Sequence, residues 1–314
     1  MLLVPVTEFS PRVLTDLWND ALGDRFPMRP ALLERNLFQD LNFLPDASFV
    51  ALEEDEAIIG MVAAKLNREF MGLPLPRTGH INSLVVHPAF RRQGIGTALL
   101  QAAVDRLTSY QPSQILLGQD PFHFFPGIPA DDPAALAFFA KQGATIADGV
   151  HVDLIRDLAS YVPPGVPNGV EIRPIRADEA WQMAEFLRLN FPGRWQYEYA
   201  KFLYDDGDPA DYVAVFANGE IEGFCHIYTP ESKWIGPSTY WAPLFPEERF
   251  GGVGPLGVSD RVRGQGLGLA VVAAGVEELK RRGVTRAAID WTDLVGFYRR
   301  LGFAVWREYR QAVL

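Results

Sequence analysis

The chain has 314 residues, 48% of them hydrophobic, which is enough for two cores and too long for one ordinary mixed domain. Its formal net charge of −10 argues against a general affinity for nucleic acid or anionic lipid. A single cysteine, Cys225, excludes an internal disulfide and a cysteine-rich metal site, and no metal is expected. The first residues lack a basic segment followed by an apolar run, and no stretch reaches membrane-spanning length, so the expected compartment is the cytosol.

In chain order, Leu2 to Val6 reads as a strand and Pro11 to Leu22 as a helix, with apolar residues at Val13, Leu14, Leu17 and Leu22. Pro30 to Asn42 reads as a second helix. Ser48 to Glu53 and Ala57 to Lys65 read as paired strands around the acidic turn Glu54-Asp55-Glu56. His80 to His87 is a strand, followed by a Gly-rich turn and a helix over Gly96 to Leu107. Ile115 to Gly118 is a short buried strand. Ala134 to Gln142 is a helix closed by Gly143, and His151 to Ile155 is a strand.

The stretch Tyr161 to Gly169, with its prolines, reads as a linker. The same order of elements then repeats. Val170 to Ile175 is a strand, Asp178 an N-cap, and Glu179 to Leu189 a helix. Asp211 to Ala217 and Ile221 to Thr229 flank the hairpin signal Asn218-Gly219. The apolar run Val253 to Val258 leads to a second Gly-rich turn and a helix over Leu269 to Leu279. Ala287 to Trp291 is a strand, Leu294 to Leu301 a helix ended by Gly302, and Phe303 to Val313 a closing strand. The repetition predicts an α/β (α+β) chain of two tandem domains, 1–160 and 170–314, joined by 161–169.

The two turns are Arg91-Arg92-Gln93-Gly94-Ile95-Gly96 and Arg263-Gly264-Gln265-Gly266-Leu267-Gly268. A strand feeding such a turn and then a helix gathers unpaired amides at the positive end of the helix dipole, which suits a phosphate or pyrophosphate. The glycines permit close backbone approach. A nucleotide-binding Rossmann unit is the competing reading, but the third glycine and its early position in the domain are missing.

These residues resemble the Gcn5-related N-acetyltransferase (GNAT) superfamily, whose central motif, Gln/Arg-x-x-Gly-x-Gly/Ala, matches both turns. Its second motif, Leu-Tyr-x-x-x-Gly-Phe, is similar to Phe297-Tyr298-Arg299-Arg300-Leu301-Gly302-Phe303. Phe138-Phe139-Ala140-Lys141-Gln142-Gly143-Ala144 is a degraded copy. The resemblance implies two domains, each a mixed twisted sheet flanked by helices. It also implies coenzyme A held by Arg263 to Gly268 and by the splayed strand at Leu256, Gly257 and Val258. In the first half the matching residues are Leu84, Val85, Val86 and Arg91 to Thr97.

In this superfamily a tyrosine often supplies the proton for the departing thiolate, and Tyr298 stands at that position. The first half has Phe139 there, so the second half is the expected catalyst. The common glutamate base falls at Gly252 and at His80. Asp290 is the favoured base, ahead of Asp293, which also reads as an N-cap, and His226, which reads better as structural. His80 reads as a strand-end residue. The expected reaction is acetyl-CoA-dependent N-acetylation of a small-molecule amine, as in tandem members such as mycothiol synthases and glucosaminide N-acetyltransferases. A non-catalytic acyl-CoA sensor and a peptide or protein N-acetyltransferase are the alternatives; a monomer and a homodimer stay equally open. The aromatic insertion Phe122 to Pro129 is expected at the domain interface. Trp234 and Trp241 lie in a Gly/Pro-rich loop and read first as core.

Overall fold

Two compact units make up the fold, and the structure, a computed structural model, describes every residue except Asp55. The centre of the expected acidic turn therefore lies outside the described residues. The first unit comprises Met1–Arg68, Leu75–His151 and Glu308–Leu314, and the second Glu69–Pro74 and Val152–Arg307.

The elements follow the predicted order with a few departures. They begin β1 (Leu2–Pro5), α1 (Pro11–Leu22), α2 (Pro30–Leu33), β2 (Phe49–Leu52), β3 (Ile58–Leu66), β4 (Gly79–Val86) and α3 (Ile95–Ser109). Next come β5 (Ile115–Leu117), β6 (Ile128–Pro129), α4 (Pro133–Lys141) and β7 (Thr145–Asp157). The second half has β8 (Glu171–Pro174), α5 (Ala180–Asn190), α6 (Arg194–Tyr204), β9 (Tyr212–Ala217) and β10 (Glu220–Tyr228). It ends with β11 (Phe250–Val258), α7 (Leu267–Arg281), β12 (Arg286–Thr292), α8 (Val295–Arg299) and β13 (Ala304–Val313).

Helix starts are set locally. Pro11 opens α1 behind Ser10, whose Oγ accepts from the Val13 amide at 3.4 Å, and Pro133 opens α4 behind Asp132, which accepts from the Ala135 amide at 2.9 Å. Both are the N-cap and N1-proline pairing expected of a helix start. The second helix is shorter than expected: α2 gives way to a π turn over Glu34–Phe38. That turn carries Asn36 inward, where its side-chain amide donates to the Phe122 carbonyl at 3.2 Å. Asp178 is not the cap of α5, since a 3-10 turn over Ala177–Glu179 intervenes. Helix α6 and strand β6 are absent from the sequence reading.

Each unit builds the same sheet. In the first, β1, β2, β3 and β4 pair antiparallel in sequence, β5 joins β4 in parallel, and the end of β13 joins β5 through Val313 and Leu116. In the second, β8, β9, β10 and β11 pair antiparallel, β12 joins β11 in parallel, and the end of β7 joins β12. The last strand of each sequence half thus completes the sheet of the other unit. The expected division at 160 is corrected accordingly: residues 152–160 belong with the second unit and 308–314 with the first. Tyr161, the first residue of the expected linker, is buried in the second unit and donates its hydroxyl to the Ala273 carbonyl at 2.9 Å.

Helix α3 covers the first sheet with Leu99, Leu100, Ala103 and Leu107, and α7 covers the second with Val271, Val272, Val276 and Leu279. The aromatic insertion packs on the first unit: Phe125 stacks on Trp18 at 5.7 Å and meets Phe26 edge-on at 4.9 Å. Trp234 and Trp241 are buried. Among the described residues no helix is long and apolar enough to cross a membrane.

Candidate active site

In the second unit β11 and β12 run side by side only from Phe250 and Arg286 to Val253 and Ile289. Gly254 then takes φ +127° and Pro255 has no amide hydrogen, so the ladder stops. Beyond that fork Leu256, Gly257 and Val258 pair with β10 through Cys225, Phe224 and Gly223, and their other edge pairs with no strand among the described residues. They are partly exposed. Such an edge can take up an extended amide chain as an added strand.

The turn after β11 meets the expectation of an open cradle. Gly264 and Gly266 have φ of +83° and +82°, and nothing lies within 4 Å of where a side chain at either would begin. Gly266 caps α7 with no side chain, and among the described residues the amides of Gly266, Leu267 and Gly268 have no chain acceptor. Gln265 folds back to donate to the Arg261 carbonyl at 3.2 Å, and Arg263 pairs with Asp260 at 2.8 Å. Open space in front of helix-end amides suits a pyrophosphate. The second sequence motif arrives at the same place, since Phe297 on α8 packs 3.9 Å from the Gly268 position.

Asp290 sits at the fork, its Oδ1 3.7 Å from the Gly254 position. Its carboxyl is pushed up to about 7, first by burial and then by the neighbouring Asp153 charge, while Arg194 opposes the shift. Tyr298 on α8 is buried, and its phenol is held well above the ordinary range by burial, then by Cys225 and Asp290, against a hydrogen bond with Thr292. The two groups are therefore electrostatic neighbours, one able to take a proton near neutral pH and one retaining its own.

Other sequence candidates stand elsewhere. Asp293 is exposed and does not cap α8; Thr292 Oγ1 accepts from the Leu294 amide there at 3.1 Å. His226 is buried against Tyr212, Tyr228 and Phe202, its basicity lowered well below the usual value by burial. It shares a 2.9 Å hydrogen bond with the Tyr228 hydroxyl through Nδ1. Gly252 lacks a side chain because Ser238 lies there, its Oγ 2.0 Å from where a Cβ would be.

The first unit repeats this backbone geometry with different side chains. Pairing of β4 with β5 ends at Ile81 and Leu117, and among the described residues Leu84, Val85 and Val86 pair only with β3. Gly94 caps α3 with φ +85° and open space before it, and Gln93 donates to the Ala89 carbonyl at 3.5 Å. Arg92 occupies the positive-φ position that Gly264 holds in the other unit, and Arg91 donates to the Val86 carbonyl. Thr97 Oγ1 accepts from Gln142 at 3.3 Å, and Ile95 is buried under the sheet, with Phe138 3.5 Å from the Gly96 position.

At the Asp290 position, one residue past the paired strand, the first unit has Gly118. Its carbonyl accepts from His80 Nδ1 at 2.8 Å, so His80 is a structural residue. Behind it Lys65 is fully buried between Asp120 at 2.6 Å and Asp40 at 2.9 Å, and Asn82 donates to Asp120 at 3.0 Å. Burial alone would lower the Lys65 pKa, but Asp120 and Asp40 outweigh it and raise it. Phe139 and Gly118 thus stand in the first unit where the second has Tyr298 and Asp290.

The model for the Acetyltransferase (GNAT) family matches residues 13–144 and again 180–303. The chain belongs to the GNAT acetyltransferase family. It is an N-acetyltransferase of two tandem GNAT units, and the acetyl donor of that family is acetyl-coenzyme A. The splayed edge and the open glycine cradle fit such a donor in both units. A mycothiol acetyltransferase of Salinispora arenicola is 32% identical over 249 residues, covering 74% of this chain and 73% of that protein. Its counterpart in Salinispora tropica is 29% identical over similar coverage, 74% and 73%. The glucosamine N-acetyltransferase region of a fungal multi-domain GH3 β-N-acetylglucosaminidase superposes over the whole chain with a TM-score of 0.88 and 28% identity. The present chain spans 38% of that larger protein. A tandem GNAT protein from the clavulanic acid pathway shares the fold, with a TM-score of 0.67 and 20% identity over 100% of this chain and 98% of its own.

Four residues near the GNAT fork escaped sequence reasoning: Asp153, Arg194, Glu198 and Trp291. Arg194 pairs with Glu198 at 2.6 Å, lies over the Trp291 ring at 4.6 Å, and bears on Asp290 electrostatically, as Glu198 does. The signal for the α6 pair was present as an i, i+4 spacing in Arg194-Trp-Gln-Tyr-Glu198.

Proposed function

We propose that the second unit acetylates the primary amine of an amino sugar or an amino-sugar conjugate, with Asp290 as base and Tyr298 as acid. The observation that carries this reading is the position of Asp290 at the mouth of the fork, beside Gly254 and electrostatically coupled to Tyr298. Acetyl-coenzyme A supplies the thioester. The amides of Gly264 to Gly268 hold its pyrophosphate and the edge of Leu256 to Val258 pairs with its pantetheine amides. The Asp290 carboxylate takes one proton from the acceptor ammonium. The Tyr298 hydroxyl gives its proton to the departing sulfur and recovers one from the acylated nitrogen, so the net proton released is the one passed through Asp290 to solvent. One similar protein is named a mycothiol acetyltransferase and another a glucosamine N-acetyltransferase, and the second name supports the amino-sugar class.

The first unit holds coenzyme without turning it over, a second reading favoured by Phe139 and Gly118 at the positions of Tyr298 and Asp290. A thiol-release assay with acetyl-coenzyme A over glucosamine, a cysteinyl amino-sugar conjugate, an aminoglycoside and a free peptide N-terminus tests both. Amino sugars are expected to turn over best, and Tyr298→Phe to lower kcat by roughly 10²- to 10⁴-fold. Absence of thiol release with every amine, together with tight coenzyme binding at both sites, would favour the sensor alternative.

A further inference from the structure

The pairing of β12 with β7 has one irregularity, and it falls at the site. Ile289 pairs with Leu154 and Thr292 with Val152, so Asp290 and Trp291 together face the single residue Asp153. Trp291 sits at φ +43°, unusual for a residue with a bulky side chain. Asp153 is 5% exposed, and its Oδ1 accepts the Trp291 amide hydrogen at 3.1 Å. A bulge of this kind redirects the side chain beside it, and here that side chain is Asp290, which meets Gly254 at the fork.

We propose that Asp153 is the positioning residue of the acetyltransferase: it fixes the bulge that aims Asp290 into the fork. This rests on Asp290 being the base. The first unit has a positive-φ residue at the same place, Gln119 at +67°, but follows a glycine there rather than an aspartate. The positive-φ turn therefore recurs in the first unit without a carboxylate for it to aim.

The charged and titratable groups around Asp290 come from four elements. Asp153 lies on β7, Arg194 and Glu198 on α6, Tyr228 on β10 and Tyr298 on α8. Asp153 and Glu198 raise the Asp290 pKa and Arg194 lowers it, while burial contributes most. Loss of a negative neighbour and loss of the positive one must then move Asp290 in opposite directions.

The experiment measures kcat/KM against pH for wild type, Asp153→Asn and Arg194→Gln. In parallel, the Asp290 carboxyl is titrated by carbon-13 NMR, assigned through its absence in Asp290→Asn. Asparagine keeps an oxygen for the Trp291 amide and removes only the charge. The acidic limb is expected to fall by about one pH unit in Asp153→Asn and to rise in Arg194→Gln. Asp153→Ala, which removes that oxygen as well, is expected to lower the high-pH plateau by more than tenfold, and a plateau within a few-fold of wild type there would overturn the positioning role. An unmoved limb and an unmoved carboxyl titration in Asp153→Asn would overturn the proposal, and so would shifts of the same sign in both variants. If the carboxyl titration moves as expected while the limb does not, Asp153 tunes Asp290 and the assignment of Asp290 as base fails instead. Should Asp153→Asn not fold, the sign of the Arg194→Gln shift still decides whether neighbouring charge sets Asp290.

Discussion

At residue scale the site is held at a cost to stability. The Asp290 carboxyl titrates at about 7 in the folded protein, against roughly 4 for an unfolded aspartate. The folded chain therefore holds a proton there that the unfolded chain releases. Stability from this group is full below about pH 4 and is lost as pH rises to 7. Asp290→Asn removes the dependence. Its stability advantage over wild type, measured by urea unfolding, is expected to grow between pH 4.5 and 8. With allowance for partial solvation it reaches on the order of 2 kcal/mol at the upper end. An advantage independent of pH would contradict the assignment. Lys65 shows the opposite case: its charge is fully buried but paired with both Asp120 and Asp40.

At the scale of elements, a turn, a splayed strand and a short helix converge. The glycine turn opens α7, the free edge of β11 runs beside it, and Phe297 of α8 packs against the Gly268 position. Gly266 matters doubly, because its φ of +82° strains any side chain and the space before it is open. Gly266→Asp adds a carboxylate where an anion is to sit, and should weaken acetyl-coenzyme A binding to the second unit at least about 100-fold, read by calorimetry and by KM. Loss of turnover in Gly94→Asp with Gly266→Asp unaffected would move the catalytic assignment to the first half. The turns and the Phe297 to Phe303 motif were legible in sequence because glycine at fixed spacing is demanded by local backbone geometry. Helix α6 was not, although Arg194 and Glu198 stand at i, i+4, because its aromatic residues Trp195, Tyr197, Tyr199, Phe202 and Tyr204 are weak helix formers and three of them are held by burial in the folded unit.

On the scale of the whole molecule, the repeat is not two consecutive beads. The first unit draws its last strand from Glu308–Leu314, where Tyr309 and Ala312 are buried and the Leu314 amide donates to the Ile115 carbonyl at 2.9 Å. A fragment of residues 1–160 lacks that strand and leaves β5 with a bare edge. It is expected to be aggregated or to bind a hydrophobic dye, and to recover a cooperative melt when co-expressed with residues 161–314. A cooperative melt of 1–160 by itself would count against the exchange.

The sequence by itself determined the tandem repeat, the two glycine cradles and Tyr298 against Phe139, since these depend on local backbone needs and on the identity of one side chain. The tertiary structure alone decided which strand completes which sheet, which partners hold His80 and His226, and that Asp153 faces Asp290. Strand partners distant in sequence carry no local signature, and a carboxylate becomes a base only through the neighbours and burial that folding assembles around it.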